Sequence, residues 1–258
     1  MGEICEKTIW VTGASSGIGR ALTLRLAKHK NFVIASGRRQ QALAELQKCS
    51  PKRIGILQCD VADDDAMDVV PERLAELTDH LDIVIACAGT CEYDDGLRLE
   101  SAMYRRVFDA NFFGVVNTLR IALPLLTASS SPVFAALSSL SSVVPFPRAE
   151  AYGSSKAALD YFLQSVRADV CNTNFKVICI RPGFVDTPLT ARNDFKMPTL
   201  ISAERAAKYI EDGIAKERSN IDFPRRLSWP LRFLGFFRFL WFRFCAPKIS
   251  RIRTLRKD

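Results

Sequence analysis

The chain has little of what metal and disulfide chemistry require. Its 258 residues include two histidines, and its eight cysteines (5, 49, 59, 87, 91, 171, 179 and 245) form no Cys-x-x-Cys pair. That argues against a zinc framework, and no metal site is expected. A secretory leader is not expected either, because MGEICEKTIWVTG is too short and too charged ahead of its first apolar run. Scattered cysteines without a leader imply reduced thiols and a cytoplasmic location. Glu6 breaks the N-myristoylation pattern.

Acidic residues are scarce at one end. Residues 218–258 hold eleven Lys and Arg against Asp222 and Asp258, a local net charge of +9. The whole chain carries +8, so the remainder is close to neutral at −1. A nucleic-acid-binding body is therefore not expected, and the tail is set apart. Apolar residues make up 48% and charged residues 25%, which suits one soluble α/β domain rather than disorder.

What is present begins with a glycine-rich turn. TIWVTG reads as a short strand, GASSGIG as a turn and RALTLRLAKH as a helix. Gly13 allows a tight turn, and Gly17 and Gly19 let backbone approach a pyrophosphate. The helix start adds N–H groups and a positive dipole end. In a strand–turn–helix setting the nucleotide reading outweighs a plain turn.

A second constellation lies in SSLSSVVPFPRAEAYGSSK (138–156). Tyr152 and Lys156 are four residues apart, so a helix stacks them on one face. An ammonium beside the phenol is expected to lower its pKa from about 10 and to let it exchange a proton with a carbonyl. Ser139, at the end of the strand-like run VFAALSS, can hydrogen-bond the same oxygen. Alone, such a pair is usually a solvated helix pair. Its weight comes from the upstream loop.

TGASSGIG followed by Ser139, Tyr152 and Lys156 at this spacing resembles the short-chain dehydrogenase/reductase family, from about Lys7 to about Pro224. The resemblance implies a Rossmann-type doubly wound parallel sheet in a single domain, 1–224, followed by a basic-aromatic C-terminal extension, 225–258. It implies a catalytic tetrad of Asn111, Ser139, Tyr152 and Lys156, with Tyr152 as acid/base. Lys156 would tune Tyr152 and hold the nicotinamide ribose, Ser139 would polarise the substrate oxygen, and Asn111 would support a proton relay. The implied cofactor contacts in the first loop are Gly13, Ser15, Ser16, Gly17, Ile18 and Gly19. Further along they are Asp60 at the adenine with Val61 beside it, Ala88 and Gly89, Pro182 and Gly183 of a PG turn, Val185 at the nicotinamide amide and Thr187 at a phosphate. Residues 189–202 correspond to the substrate lid, and a homo-oligomer is expected.

Cofactor choice turns on a missing acid. A carboxylate after the second strand would hold a ribose 2′-hydroxyl, but none occurs between Asn31 and Leu43. Arg38 and Arg39 follow Gly37 instead, and guanidinium groups suit a 2′-phosphate. NADP(H) is therefore expected, against the plainer reading of two solvated arginines. Asp63 is expected to cap the helix after Val61, which frees Asp60 from that duty. The family's Asn pair at the fourth strand is replaced by Ala86 and Cys87, which puts the usual cross-strand tie in doubt. Cys87 reads as a small buried residue rather than a reactive thiol. Residues 98–128 read as one long helix and Ser202 as a helix cap.

The extension does not read as a membrane span. In 227–246 ten Leu and Phe residues contribute roughly 3–6 kcal/mol, against roughly 7–10 for three Arg. At helical spacing Phe233, Leu234, Phe237, Leu240, Trp241 and Phe244 share one arc, with Arg232, Arg238 and Arg243 outside it. That pattern suits peripheral contact at the inner face of a membrane, and the competing reading is a helix packed on the body or on a partner subunit. The functional expectation is an NADP(H)-dependent oxidoreductase interconverting a carbonyl and a hydroxyl on a hydrophobic, lipid-like small molecule. A membrane-attached NADP-binding scaffold or sensor without turnover is the alternative. A sugar-nucleotide epimerase fits poorly, since the chain has no large C-terminal substrate domain.

Overall fold

The computed structural model describes residues 3–252. Its sheet is built from apolar, β-branched runs: β1 (Thr8–Thr12), β2 (Phe32–Gly37), β3 (Ile54–Gln58), β4 (Ile83–Ala86), β5 (Val133–Leu137) and β6 (Lys176–Pro182). The two-residue strands β7 (Val185–Asp186) and β8 (Ile201–Ser202) pair with each other outside it, and β9 (Asn220–Phe223) completes it. The order is β3-β2-β1-β4-β5-β6-β9, every pairing parallel. Both faces are covered, as a parallel sheet requires.

The period of two divides the core. Ile9, Val11, Ala135 and Leu137 face one cluster; Trp10, Phe134 and Ala136 face the other. Helices α1 (Gly17–Leu26), α2 (Gln40–Lys48) and α8 (Ala203–Ile214) supply Leu22, Leu43 and Ile210 to the first. Helices α3 (Asp64–Asp68), α4 (Val70–Ala75), α6 (Gly114–Leu126) and α7 (Glu150–Asp169) supply Met67, Leu74, Leu119 and Leu163 to the second. The strand order reverses between β1 and β4, which opens a crevice beyond their carboxyl ends.

The expected single helix over 98–128 is two helices. α5 (Ser101–Phe108) and α6 are joined by a π-helical turn, Asp109–Phe113, that carries Asn111. The extra residue in that turn accompanies bonds from the Asn111 side chain to the main chain of Thr90. The arc expected in the tail is not formed either. α9 (Arg225–Phe236) ends where Phe237 leaves helical geometry (φ −99, ψ 64). α10 (Arg238–Leu240), a π-helical turn (Trp241–Cys245) and α11 (Ala246–Ile249) follow. The bend turns Trp241 inward, 3% exposed, with its indole N–H on the Pro145 carbonyl at 3.0 Å. Arg232 is committed to Asp222 at 2.7 Å. Residues 253–258 of the expected extension lie outside the described residues, within which no helix is long and apolar enough to cross a membrane.

The exit of β4, where the Asn pair is absent, is tied to a neighbouring strand. The hydroxyl of Thr12, 1% exposed at the end of β1, accepts both the Cys87 N–H at 3.1 Å and the Ala88 N–H at 3.2 Å. One oxygen thus ties β1 to the exit of β4. Thr12→Val, which keeps the shape but removes the acceptor, is expected to cost about 1–3 kcal/mol in urea unfolding, with Thr12→Ser retaining most of the stability. An unchanged unfolding midpoint in Thr12→Val would show that the tie does not matter.

Candidate active site

The crevice collects residues from four separate stretches. Gly13 has φ +66, and a Cβ there would lie 2.8 Å from the backbone of Ala88, so β1 and β4 meet where no side chain fits. At Gly17 a Cβ would lie 3.0 Å from the Thr187 methyl, which places the loop after β6 against the first turn of α1. Ser16 is the extended N-cap of α1 and its side chain makes no capping bond. The first N–H groups of α1 therefore keep their capacity for an anion. Ser15 and Ile18 lie on either side of that entry to the helix.

Of the two arginines after β2, Arg39 reaches this loop and Arg38 lies beside Asp60. Arg39 donates to the Ser15 carbonyl at 3.0 Å and to its hydroxyl at 3.4 Å. Arg38 is largely exposed, 3.7 Å from the Asp60 carboxylate. Asp60 also accepts the Ala62 N–H at 3.1 Å, while Asp63 caps α3 through Ala66 N–H at 3.0 Å. Val61 is buried and packs against Gly114, where a Cβ would meet its methyl at 2.6 Å.

The tetrad residues converge from β5, α7 and the π turn. Asn111 is fully buried. Its Nδ2 donates to the Thr90 carbonyl (2.9 Å) and the Ser155 hydroxyl (3.0 Å), and its Oδ1 accepts the Thr90 N–H (2.8 Å). A Cβ on Gly89 would sit 2.7 Å from that Oδ1 and 3.5 Å from Lys156 Nζ. Glycine alone fits between the amide and the ammonium. Lys156 is 4% exposed, donates to the Leu137 carbonyl at 2.7 Å and lies 6.0 Å from the Tyr152 ring centre. Ser139 caps a short 3-10 turn (Leu140–Ser142), its Oγ accepting the Ser141 N–H at 3.1 Å.

The electrostatics differ from the expectation for Tyr152. Burial pushes its hydroxyl well above the usual phenol range and the neighbouring Cys91 adds to the rise, while a hydrogen bond with Ser139 pulls the other way. Lys156 is not what sets that hydroxyl. Desolvation acts on Lys156 in the opposite sense, lowering it from 10.5 to about 8. Each group shifts toward its neutral form because low dielectric penalises charge. Burial likewise raises Cys87 to about 12 and Cys91 to about 11, so neither is a thiolate at neutral pH.

Beyond β6, the Gly183 N–H bonds the Phe223 carbonyl at 2.7 Å next to Pro182. Val185, 3% exposed, is held by the β7–β8 pair, and Ser202 caps α8 through Arg205 N–H at 3.2 Å. The lid carries contacts that spacing alone did not signal. Tyr93 donates to Asn193 at 2.8 Å and meets Phe195 edge-on, and Phe195 in turn meets Phe184. Arg148 bridges Asp95 and Asp194, and Arg251 from the tail reaches Asp194 at 2.7 Å. Two opposed guanidinium groups hold the Asp194 carboxyl far below the usual range. Thr12, Thr90 and Ser155 were likewise missed, because a single Ser or Thr in a strand or helix carries no pattern.

The depressed Lys156 has a measurable consequence for stability. Its folded pKa lies below its unfolded value, so the unfolded chain binds more protons between them and the group's penalty fades as pH rises. Relative to Lys156→Met, the wild type should gain stability between about pH 8 and pH 10.5. A constant difference in unfolding free energy across that window would contradict the burial reading.

Comparison with known proteins agrees with this geometry. The short chain dehydrogenase family matches over residues 7–197. An uncharacterized oxidoreductase of Myxococcus xanthus is 35% identical over 235 residues, covering 90% of this chain and 93% of that one. Estradiol 17-beta-dehydrogenase 2 of Rattus norvegicus is 31% identical over 218 residues, 82% of this chain and 55% of that one. The crystal structure of L-sorbose reductase from Gluconobacter frateurii, complexed with NADPH and L-sorbose, shares the fold with a TM-score of 0.76 at 23% identity, covering 86% of this chain and 96% of that one. With a family match over most of its length and a relative 35% identical over 90% of the chain, the chain belongs to the short-chain dehydrogenases and is an oxidoreductase.

Proposed function

We propose that the protein is an NADP(H)-dependent oxidoreductase that interconverts a carbonyl and a hydroxyl group on an apolar small molecule. The observation that carries this reading is the convergence of Tyr152, Ser139 and Lys156 beside Gly89 at the crevice, with Arg38 and Arg39 at its other end. The crevice fits a dinucleotide: Gly13 and Gly89 leave space no side chain could share, and the start of α1 offers N–H groups to phosphate. Ser15, Arg38 and Arg39 would hold a 2′-phosphate, with Asp60 and Val61 at the adenine. Ile18, Ala88, Pro182, Val185 and Thr187 would line the remainder. The bound cofactor supplies or accepts the hydride.

The side chains handle the proton. Tyr152, kept protonated by burial, is placed to give a proton to a carbonyl oxygen, with Ser139 as a second hydrogen-bond donor to that oxygen. Lys156, fixed by the Leu137 carbonyl, sits one helical turn along and is positioned to contact the nicotinamide ribose. Asn111 acts by position, since both its N–H groups and one lone pair are spent on Thr90 and Ser155. An apolar substrate is supported by Tyr93, Phe184 and Phe195 at the lid and by the kinship with a steroid dehydrogenase. The chain is read as one dinucleotide-binding domain, 1–224, with an extension, 225–258, in peripheral contact with the inner face of a membrane. The enzyme is read as cytoplasmic and homo-oligomeric.

Two experiments test the reaction. Tyr152→Phe should abolish NADPH oxidation across a panel of apolar ketones and aldehydes while leaving NADPH binding, read by fluorescence titration, largely intact. Lys156→Ala should impair both. Most of the wild-type activity surviving in Tyr152→Phe would remove Tyr152 from the mechanism. Separately, the wild type should prefer NADP(H) over NAD(H), and Arg38→Asp should collapse that preference by repelling the 2′-phosphate and offering the 2′-hydroxyl an acceptor. Equal use of the two cofactors by the wild type would refute the role given to Arg38 and Arg39.

A further inference from the structure

The tail has an inner side that is satisfied and an outer side that is not. Inward, Leu231 and Trp241 are buried against Leu140 and Val144, with Leu227, Leu234 and Phe146 around them. Trp241 stacks edge-on against Phe146 at 5.1 Å. Outward stand Trp229, Phe233, Phe236, Phe239, Phe242 and Phe244, each more than half exposed and Phe236 82% exposed. Phe233, Phe236 and Phe239 all contact Phe237 within 6.4 Å, so these four rings form one contiguous group. A folded monomer gains nothing from such a patch, and patches of this kind mark interaction surfaces.

The surrounding charge selects the occupant. No acidic residue occurs between Asp222 and Asp258. Arg232 and Arg251 are spent on Asp222 and Asp194. Arg225, Arg226, Arg238, Arg243 and Lys248 are exposed and form no ion pair among the described residues. Arg243 lies 5.5 Å from the Phe244 ring, the pairing of cation and aromatic found at a headgroup level. Beside the patch a groove of about 590 Å³ runs between the tail and the start of α7, lined by Val143, Phe146, Gly153, Arg238, Phe242 and Pro247. Arg238 and Phe242 belong to both groove and patch.

We propose that this aromatic-basic face docks the protein on an anionic phospholipid surface. The rings enter the interface and the unpaired arginines meet the headgroups. No described helix can span a bilayer, so the contact is peripheral. The inference rests on the peripheral-contact part of the function proposed above and not on the reaction.

The test is co-sedimentation of the full chain with phosphatidylcholine vesicles, with and without phosphatidylglycerol. The full chain should pellet much more strongly with the anionic vesicles than with the zwitterionic ones. Binding should weaken without vanishing as salt rises from about 0.1 M to about 1 M, because only the charge component is screened. Arg238→Gln with Arg243→Gln should weaken binding by roughly fivefold per arginine at low salt, and Phe236→Ser with Phe239→Ser by on the order of tenfold per ring. All four positions are exposed, so the fold and turnover of a small soluble ketone should be unchanged. Loss of turnover in the Tyr152→Phe enzyme with vesicle binding intact would separate the two readings. A full chain that stays in solution with anionic vesicles at low salt, or one that binds both vesicle types alike, overturns the proposal. So does normal binding by the ring variant. A fall in oligomeric mass of the ring variant by ultracentrifugation, without vesicle binding by the wild type, would assign the face to a second copy of the chain instead.

Discussion

The carboxamide of Asn111 holds both polar ends of one residue, Thr90, and the rest of the site is arranged around that bond pair. To reach Thr90 the helix after Phe108 takes on a π turn. The same amide donates to Ser155, whose hydroxyl donates to the Tyr152 carbonyl, so the first turn of α7 is fixed relative to the loop leaving β4. Gly89 lies between this amide and Lys156 with no space for a β-carbon. One buried polar group therefore sets the crevice floor, the rotation of α7 and the distance between the loop and the ammonium. Because the Asn111 amide is itself fully buried, any break would leave it unpaired in low dielectric, which is what makes the arrangement specific.

A second constraint ties the tail to the same wall. Arg181 in β6, 8% exposed, bridges Asp160 of α7 at 2.6 Å and Asp222 of β9 at 3.0 Å, and Ser142 reaches the same Asp160 at 2.7 Å. Asp222 then receives Arg232 from α9. The chain of charges runs from the segment after Ser139 through the sheet to the extension. Leu227 lies where a Cβ on Gly183 would be, and Val143 where one on Gly235 would be. The extension is thus packed on both the PG turn and the 140–149 loop. Its inner side serves the site wall, which leaves the outer rings for something else.

Much of this was legible in the sequence because it depends on period and spacing. The strands β1 and β5 fall within the apolar runs TIWVTG and VFAALSS, and the Tyr152–Lys156 interval places both on α7. Asp63 and Ser202 cap as their positions implied. What escaped depends on single groups acting at long range. The Thr12 hydroxyl holding the Cys87 and Ala88 amides, the Thr90 peptide gripped by Asn111 and the Arg148 bridge to the lid have no local pattern. The tail arc failed for a different reason. A helical wheel assumes an unbroken helix, and the bend at Phe237 let Trp241 find Pro145.

The correction to Tyr152 alters how the site should be understood. Spacing alone suggested a phenol made acidic by its lysine. Burial instead raises Tyr152 and lowers Lys156, since both lose hydration on entering the same wall. Near neutral pH Lys156 still holds its proton, with its charge steadied by the Leu137 carbonyl. Tyr152 holds its proton more firmly still. The Ser139 hydroxyl, hydrogen-bonded to that of Tyr152, offsets part of the rise. The burial that fixes the geometry of the wall is therefore also what moves both groups toward their neutral forms.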